Sequence, residues 1–183
     1  RAEPVRRIKP EMASLTTGSM NFPDRVYANS FETVDVLARC MKEAGTKPEM
    51  EIFEAGMIDN ALLLLNAGLV EAPLHFNFVL GSKGSQPATA RQLVYLSESI
   101  PKDATWTVAA LGRHQLPMGI VAIGMGGHVR VGLEDNIYYR YGELASNEQL
   151  VARMARITVE AEREVATPDE ARELMSLRAR NAK

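Results

Sequence analysis

What most limits the possible folds of this chain is a regular alternation of five short runs of β-branched, aromatic and aliphatic residues with longer stretches of helical periodicity. The runs are Met12 to Thr16, Met50 to Phe53, His75 to Leu80, Thr105 to Leu111 and His128 to Leu133, with starts about 25 to 40 residues apart. Strand, crossover helix, strand is the pattern of a parallel sheet, because only a long connection returns the chain to the same end of its neighbour. Ser30 to Ala44, Ile58 to Ala67, Pro87 to Ser99 and Asn147 to Val165 read as outer helices. Ser30 stands at an N-cap, although Thr33 occupies the place where a capping box needs Glu or Gln. Thr167-Pro168-Asp169-Glu170 is an N-cap, a proline at the first helical position and acids in the first turn, opening a short terminal helix through Leu177.

Five βα units cannot close a barrel, whereas eight close with their inner side chains packed in layers. The expected fold class is therefore α/β, a (β/α)8 TIM barrel of which residues 1–183, read as a single domain, carry about the last five βα units. A first residue of arginine and a strand-like run already under way at Glu11 to Leu15 suit a chain that begins midway, with three units expected ahead of Arg1. An open half-sheet is the structural alternative.

Composition narrows the function classes. An apolar content of 46% supports a buried core, and a net charge of −2 with a pI near 6.0 gives no basic field for nucleic acid or an anionic membrane. Cys40 is alone and sits with Val36, Leu37 and Met41 at helical spacing, which favours a packed thiol over a disulfide or a reactive site. No stretch approaches the roughly 18 apolar residues of a membrane span, and Arg1 to Pro10 is basic without an apolar run behind it. A cytoplasmic protein acting on a small molecule is expected.

In such a barrel chemistry belongs to the C-terminal strand ends. The densest ionisable cluster there is His128-Val129-Arg130-Val131-Gly132-Leu133-Glu134-Asp135-Asn136. Strand alternation sets His128, Arg130, Gly132 and Glu134 on one face, toward the barrel interior, and Val129, Val131 and Leu133 against the helices. Adjacent carboxylates at a strand end suit metal binding by one and proton abstraction by the other, with a guanidinium beside them; an internal ion pair is the passive alternative. Gly81-Ser82-Lys83-Gly84-Ser85 has the composition of a phosphate-binding loop but no Walker pattern, and an ordinary glycine-rich loop fits equally. Arg113 and His114 are a basic strand-end pair, suited to an anion or merely solvated. Glu49 and Glu51 share a strand face and Glu54 stands at its upper end; Glu51 is the favoured site group, though which glutamate faces the substrate stays open.

Ser14-Leu15-Thr16-Thr17-Gly18-Ser19-Met20-Asn21-Phe22, Lys47 to Phe53, His128 to Asn136 and Ala166 to Arg172 together resemble the β-keto acid cleavage enzymes, almost from end to end. The resemblance implies a zinc-dependent (β/α)8 barrel that condenses a β-keto acid with acetyl-CoA and releases acetoacetate and a new acyl-CoA by retro-Claisen cleavage. It further implies Glu134 as a zinc ligand, Asp135 as the base acting with Arg130, Thr16 and Glu51 lining the substrate pocket, and a homo-oligomer, tetrameric in the family. Members of the family bring two more zinc ligands as a His-x-His pair on an earlier strand, and no such pair occurs here; His75, His114 and His128 are badly placed to replace it. The rival readings are a metal-dependent aldolase or hydrolase on the same barrel, and an inactive half-barrel that pairs through its free edges.

Overall fold

A computed structural model describes residues 2–177. Along the chain run α1 (Glu3–Ile8), β1 (Met12–Thr16), β2 (Met20–Asn21), β3 (Val26–Tyr27), α2 (Phe31–Ala44), β4 (Lys47–Ile52), α3 (Gly56–Asn66), β5 (His75–Leu80), α4 (Ala90–Glu98) and β6 (Thr105–Ala110). A single 3-10 turn (Gly112–His114) then leads into α5 (Gln115–Gly124), β7 (His128–Arg130), β8 (Tyr138–Arg140), β9 (Glu143–Leu144), α6 (Asn147–Glu160) and α7 (Pro168–Leu174). The five expected strands pair in parallel in the order β1-β4-β5-β6-β7, and the two short hairpins, β2 with β3 and β8 with β9, stand apart from that sheet. This is the α/β architecture of a (β/α)8 barrel, present as an arc of five strands.

The two faces of the arc differ in chemistry. Toward the helices point Met50, Ile52, Phe76, Phe78, Leu80 and Val108, none more than 1% exposed, and burying each such side chain stabilises the fold by roughly 1.5–3 kcal/mol. The concave face carries Ser14, Thr16, Glu49, Glu51, His75, Asn77, Thr105, Thr107, His128 and Arg130 at the alternate positions. Barrel interiors are usually filled by branched aliphatic residues; this one is lined with hydrogen-bonding groups, which cost free energy to bury unless they are paired.

Several local expectations are corrected. Helix α5 and the short α1 were not expected, because α5 is apolar nearly all round and includes Pro117, Gly119 and Gly124, which hide a helical period. Pro117 lies in the first turn, where a missing N–H costs nothing. At Gly119 a Cβ would lie 3.0 Å from Met154 and Val129, so glycine lets α6 and β7 pack close. Strand β7 stops at Arg130 rather than Leu133, β4 starts earlier, at Lys47, and α6 ends at Glu160 rather than Val165. Ser30 caps α2 by accepting from Thr33 N–H, and Thr167 with Glu170 closes a full capping box on α7. Cys40 is buried on the inner face of α2, as its spacing indicated.

Gly127, in the turn before β7, supports the indole of Trp106: a Cβ there would meet three ring carbons at 2.2 to 2.5 Å. Gly127→Ala is expected to destabilise the chain by about 1–3 kcal/mol through overpacking. Denaturant unfolding checks this, and an unchanged midpoint would mean that the indole swings aside freely.

Candidate active site

Strand register and loop anchoring bring together all five residues singled out at the strand ends. Thr16 ends β1 and lies opposite Glu51 of β4, and its hydroxyl donates to Glu51 Oε2 at 2.6 Å. The segment that follows is pinned to α3, where Thr17 Oγ1 donates to the Met57 carbonyl and Asn60 Nδ2 to the Thr17 carbonyl. From the far side of the arc Arg130 approaches: its Nη1 is 3.8 Å from Glu51 Oε1. Two strands, β5 and β6, separate their parent strands, so only a tightly curved sheet allows that approach.

Arg130 is the hub. Its Nε and Nη2 donate to Asp135 Oδ2 and Oδ1, each at 2.9 Å, in a side-on fork, and Nη2 also donates to Glu134 Oε2. The arrangement differs from the expected one. Because β7 ends at Arg130, Glu134 belongs to the turn that follows and not to the strand face; its side chain is 80% exposed while that of Asp135 is 5% exposed. The expected buried Arg–Glu pair is thus a partly buried Arg130–Asp135 pair with Glu134 at the rim.

Sequence reasoning missed what holds that turn. Gln115 Nε2 donates to the Gly132 carbonyl at 3.2 Å, Asn147 Oδ1 accepts from Leu133 N–H at 2.9 Å, and Gly112 N–H donates to the Asp135 carbonyl at 2.8 Å. Gln115 lies on the unexpected α5, so nothing marked it; Asn147, directly after the N-cap Ser146 of α6, was open to notice.

Charge is unevenly shared. Three carboxylates meet one guanidinium, and burial, followed by the neighbouring Glu134 carboxyl, pushes Asp135 up to about 6 despite Arg130. Burial likewise raises Glu51, opposed by the Thr16 hydroxyl and Arg130. The bond to Asp135 and the charge of Arg130 hold Glu134 below the usual carboxylate range. A net negative pocket of this kind favours an added cation.

The described residues do not themselves complete the zinc centre that the resemblance implies. Glu134 offers an accessible carboxylate, but among the described residues no group of three or more His, Cys, Asp or Glu is placed to hold a metal ion. His75 and His128 face each other at 6.4 Å between rings near the strand starts, far from Glu134, and His75 has both ring nitrogens against Thr105 and Thr107 hydroxyls.

The remaining candidates separate. Ser14 donates to Glu49 at 2.7 Å, one layer below the hub, and Glu54 is exposed, so Glu51 is the glutamate that the fold brings to Arg130. In the Gly81 to Ser85 loop the two serine hydroxyls bond each other at 2.8 Å, and Ser82 N–H donates to Ser85 Oγ. Gly84, at φ +88, abuts the Asn21 carbonyl of the β2–β3 hairpin, where a Cβ would lie 2.1 Å away. That loop pairs its serine hydroxyls with each other and uses Gly84 for packing. Arg113 and His114 lie in the 3-10 turn after β6, and His114 rests against Gly81.

A half-barrel with a carboxylate pair and a guanidinium at its last strand end defines an α/β barrel of the type that works from its C-terminal rim. The family model for the beta-keto acid cleavage enzyme matches residues 1–177, and the chain belongs to that family. It is 50% identical over 173 residues to a 3-keto-5-aminohexanoate cleavage enzyme of Fusobacterium nucleatum, covering 93% of this chain and 63% of the relative. It is 46% identical to an enzyme of the same name from Acetoanaerobium sticklandii, covering 97% of this chain and 65% of the relative. A 3-oxoadipate:acetyl-CoA acetyltransferase of Cupriavidus necator is 43% identical, with 93% and 61% covered. The chain thus spans somewhat under two thirds of the length of these relatives. The apo structure of ObcA superposes with a TM-score of 0.78 at 20% identity, covering 92% of this chain and 44% of that one, a likeness of fold. Among the described residues no helix is long and apolar enough to cross a membrane.

Proposed function

We propose that this chain carries the C-terminal units of a β-keto acid cleavage enzyme, which converts a β-keto acid and acetyl-CoA to acetoacetate and a new acyl-CoA. The observation that carries the reading is the Thr16–Glu51–Arg130–Asp135 network, assembled from the first two strands of the arc, the last strand and the turn after it, in a chain of this family. Relatives named for acetyl-CoA transfer support the co-substrate.

In this reading Asp135 is the base. A carboxyl raised to about 6 is ionised at neutral pH yet basic enough to take a proton from the carbon between the keto acid's carbonyl and carboxylate. Arg130 fixes the base by its two-pronged bond and offers its outer N–H groups to the negative charge left on the substrate. The resulting carbanion attacks the acetyl-CoA thioester carbonyl and expels CoA thiolate; the thiolate attacks the original keto carbonyl, the C–C bond breaks to give the new acyl-CoA and the carbanion of acetoacetate, and that carbon takes back the proton held by Asp135. No acyl-enzyme forms. Thr16 and Glu51 line the substrate side of the hub.

Zinc is part of the proposal, with Glu134 as one ligand and the surplus of carboxylates as the physical reason for a cation. A catalytic zinc site takes three protein ligands and one open position, so the others belong to barrel units beyond those described, and no step above passes through the metal. The chain alone is expected to keep far less than one zinc after dialysis, and the completed barrel about one; stoichiometric zinc in the chain alone would reveal a site this geometry lacks. We place the enzyme in the cytoplasm as a homo-oligomer, with the barrel closed by further units along β1 and β7, which have no outer partner strand among the described residues.

The test joins the chain to the N-terminal third of a relative such as the Fusobacterium enzyme and assays acetoacetate from a panel of β-keto acids with and without acetyl-CoA. Acetyl-CoA-dependent acetoacetate is expected from the joined protein. Carbon–carbon cleavage indifferent to acetyl-CoA would favour an aldolase or hydrolase instead, and no product from any keto acid would sink the proposal.

A further inference from the structure

Asn77, in the middle of β5, takes no part in the network above. It is wholly buried, and among the described residues neither its amide nitrogen nor its amide oxygen has a hydrogen-bond partner. Each buried polar group left unpaired costs about 1–3 kcal/mol, and leucine would fill nearly the same shape without that cost. An asparagine at such a position calls for a partner that the described side chains do not supply.

Its neighbours indicate which. Asn77 is level with Glu51 on β4 and with Thr107 on β6, and partners at one level of a parallel sheet project to the same face. The approach of Arg130 to Glu51 spans β5 and β6, on the face that Asn77 shares. Thr107 is already engaged, its hydroxyl lying 3.1 Å from His75 Nε2. Glu51 Oε2 is held by Thr16, but Oε1 meets Arg130 only at 3.8 Å, too far for a direct hydrogen bond. An oxygen short of a donor and an amide short of an acceptor therefore project from one level of adjacent strands, whose backbones run about 5 Å apart, with no direct bond between them.

The geometry points to Asn77 as a positioning residue for Glu51: its amide N–H donates through one buried water to Glu51 Oε1 and keeps that carboxylate turned toward Arg130. The inference rests on the reading that Glu51 lines the substrate site. Three consequences follow. The cost of burying an asparagine at the centre of the sheet is offset by that bridge. Glu51 is anchored from both sides, by Thr16 and by Asn77. Removing the amide frees Glu51 without disturbing Arg130 and Asp135.

The test uses the barrel-completed protein, unsubstituted and as Asn77→Leu, with the Glu51 carboxyl followed by carbon-13 titration and turnover measured across pH. Asn77→Leu should melt close to the unsubstituted protein, since the cost of burying the amide and the bridge that offsets it leave together. The Glu51 midpoint should rise by about one unit and kcat/KM fall about tenfold, the worth of one hydrogen bond to a charged group. Glu49, Arg130 and Glu134, the charged groups that face Glu51, are common to both proteins, so the difference isolates Asn77. In the unsubstituted protein the Asn77 side-chain amide signal should shift with the Glu51 midpoint, a reading that needs no variant. An unmoved Glu51 midpoint in Asn77→Leu, or an Asn77 amide signal indifferent to it, overturns the inference. Absence of acetoacetate from the unsubstituted protein would instead fail the functional reading, leaving the titrations to decide on Asn77.

Discussion

Asp135→Asn in the barrel-completed protein is expected to lower acetoacetate formation about a thousand-fold, within the range that a positioned general base contributes. Asparagine keeps the size of the side chain and one of the two acceptor contacts to Arg130, so the loss reads the missing base more than a disrupted fold. The unsubstituted protein should show kcat/KM rising with pH through a midpoint near 6, because below that value Asp135 holds its proton and cannot accept another. Asp135→Asn should remove that limb. Retention of activity within tenfold, or an unchanged acid limb, would assign the base to another residue.

The second large effect lies lower in the arc, at His75. Burial, then the neighbouring His128 and Lys47, hold its imidazole down to about 4. The folded state therefore binds fewer protons than the unfolded chain between about pH 4 and the ordinary value near 6.5, and His75 subtracts stability as pH falls through that window. A shift of this size amounts to about 3 kcal/mol at pH 4. Asp135 and Glu51, both raised, act with opposite sign over part of the same window, so the unsubstituted protein need not show the loss outright. The difference between it and His75→Gln isolates the histidine. At pH 7 the substitution should destabilise, because the two threonine contacts are lost. By pH 4 that deficit should shrink by about 3 kcal/mol or reverse. Denaturant midpoints at the two pH values measure it, and a deficit independent of pH would show that His75 titrates freely.

Much of the fold was legible because parallel strands with an apolar face toward the helices keep a strong local signature. Phe76, Phe78 and Leu80 announce β5 without help from any distant contact, and Thr167 with Glu170 announces α7 through a cap complete within four residues. What escaped notice depended on context. Helix α5 hid because its apolar residues cover nearly its whole circumference and Gly119 is explained only by the side chains of α6 and β7. The hairpins β2–β3 and β8–β9 have strands of two or three residues, too short to show a period.

The candidate site divides along the same line. Arg130, Glu134 and Asp135 are neighbours in the chain, so their charge density was readable directly, and the alternation of β4 already put Glu49 and Glu51 on one face. The tertiary structure alone decided that Glu51 and not Glu49 meets Arg130. It also decided that Asp135 is the buried carboxylate with Glu134 at the rim, and that Asn77 is buried with no hydrogen-bond partner among the described residues. The reason is physical: strand periodicity sets which face a side chain takes, but the curvature of the sheet and the point where β7 ends set which side chains on that face can touch.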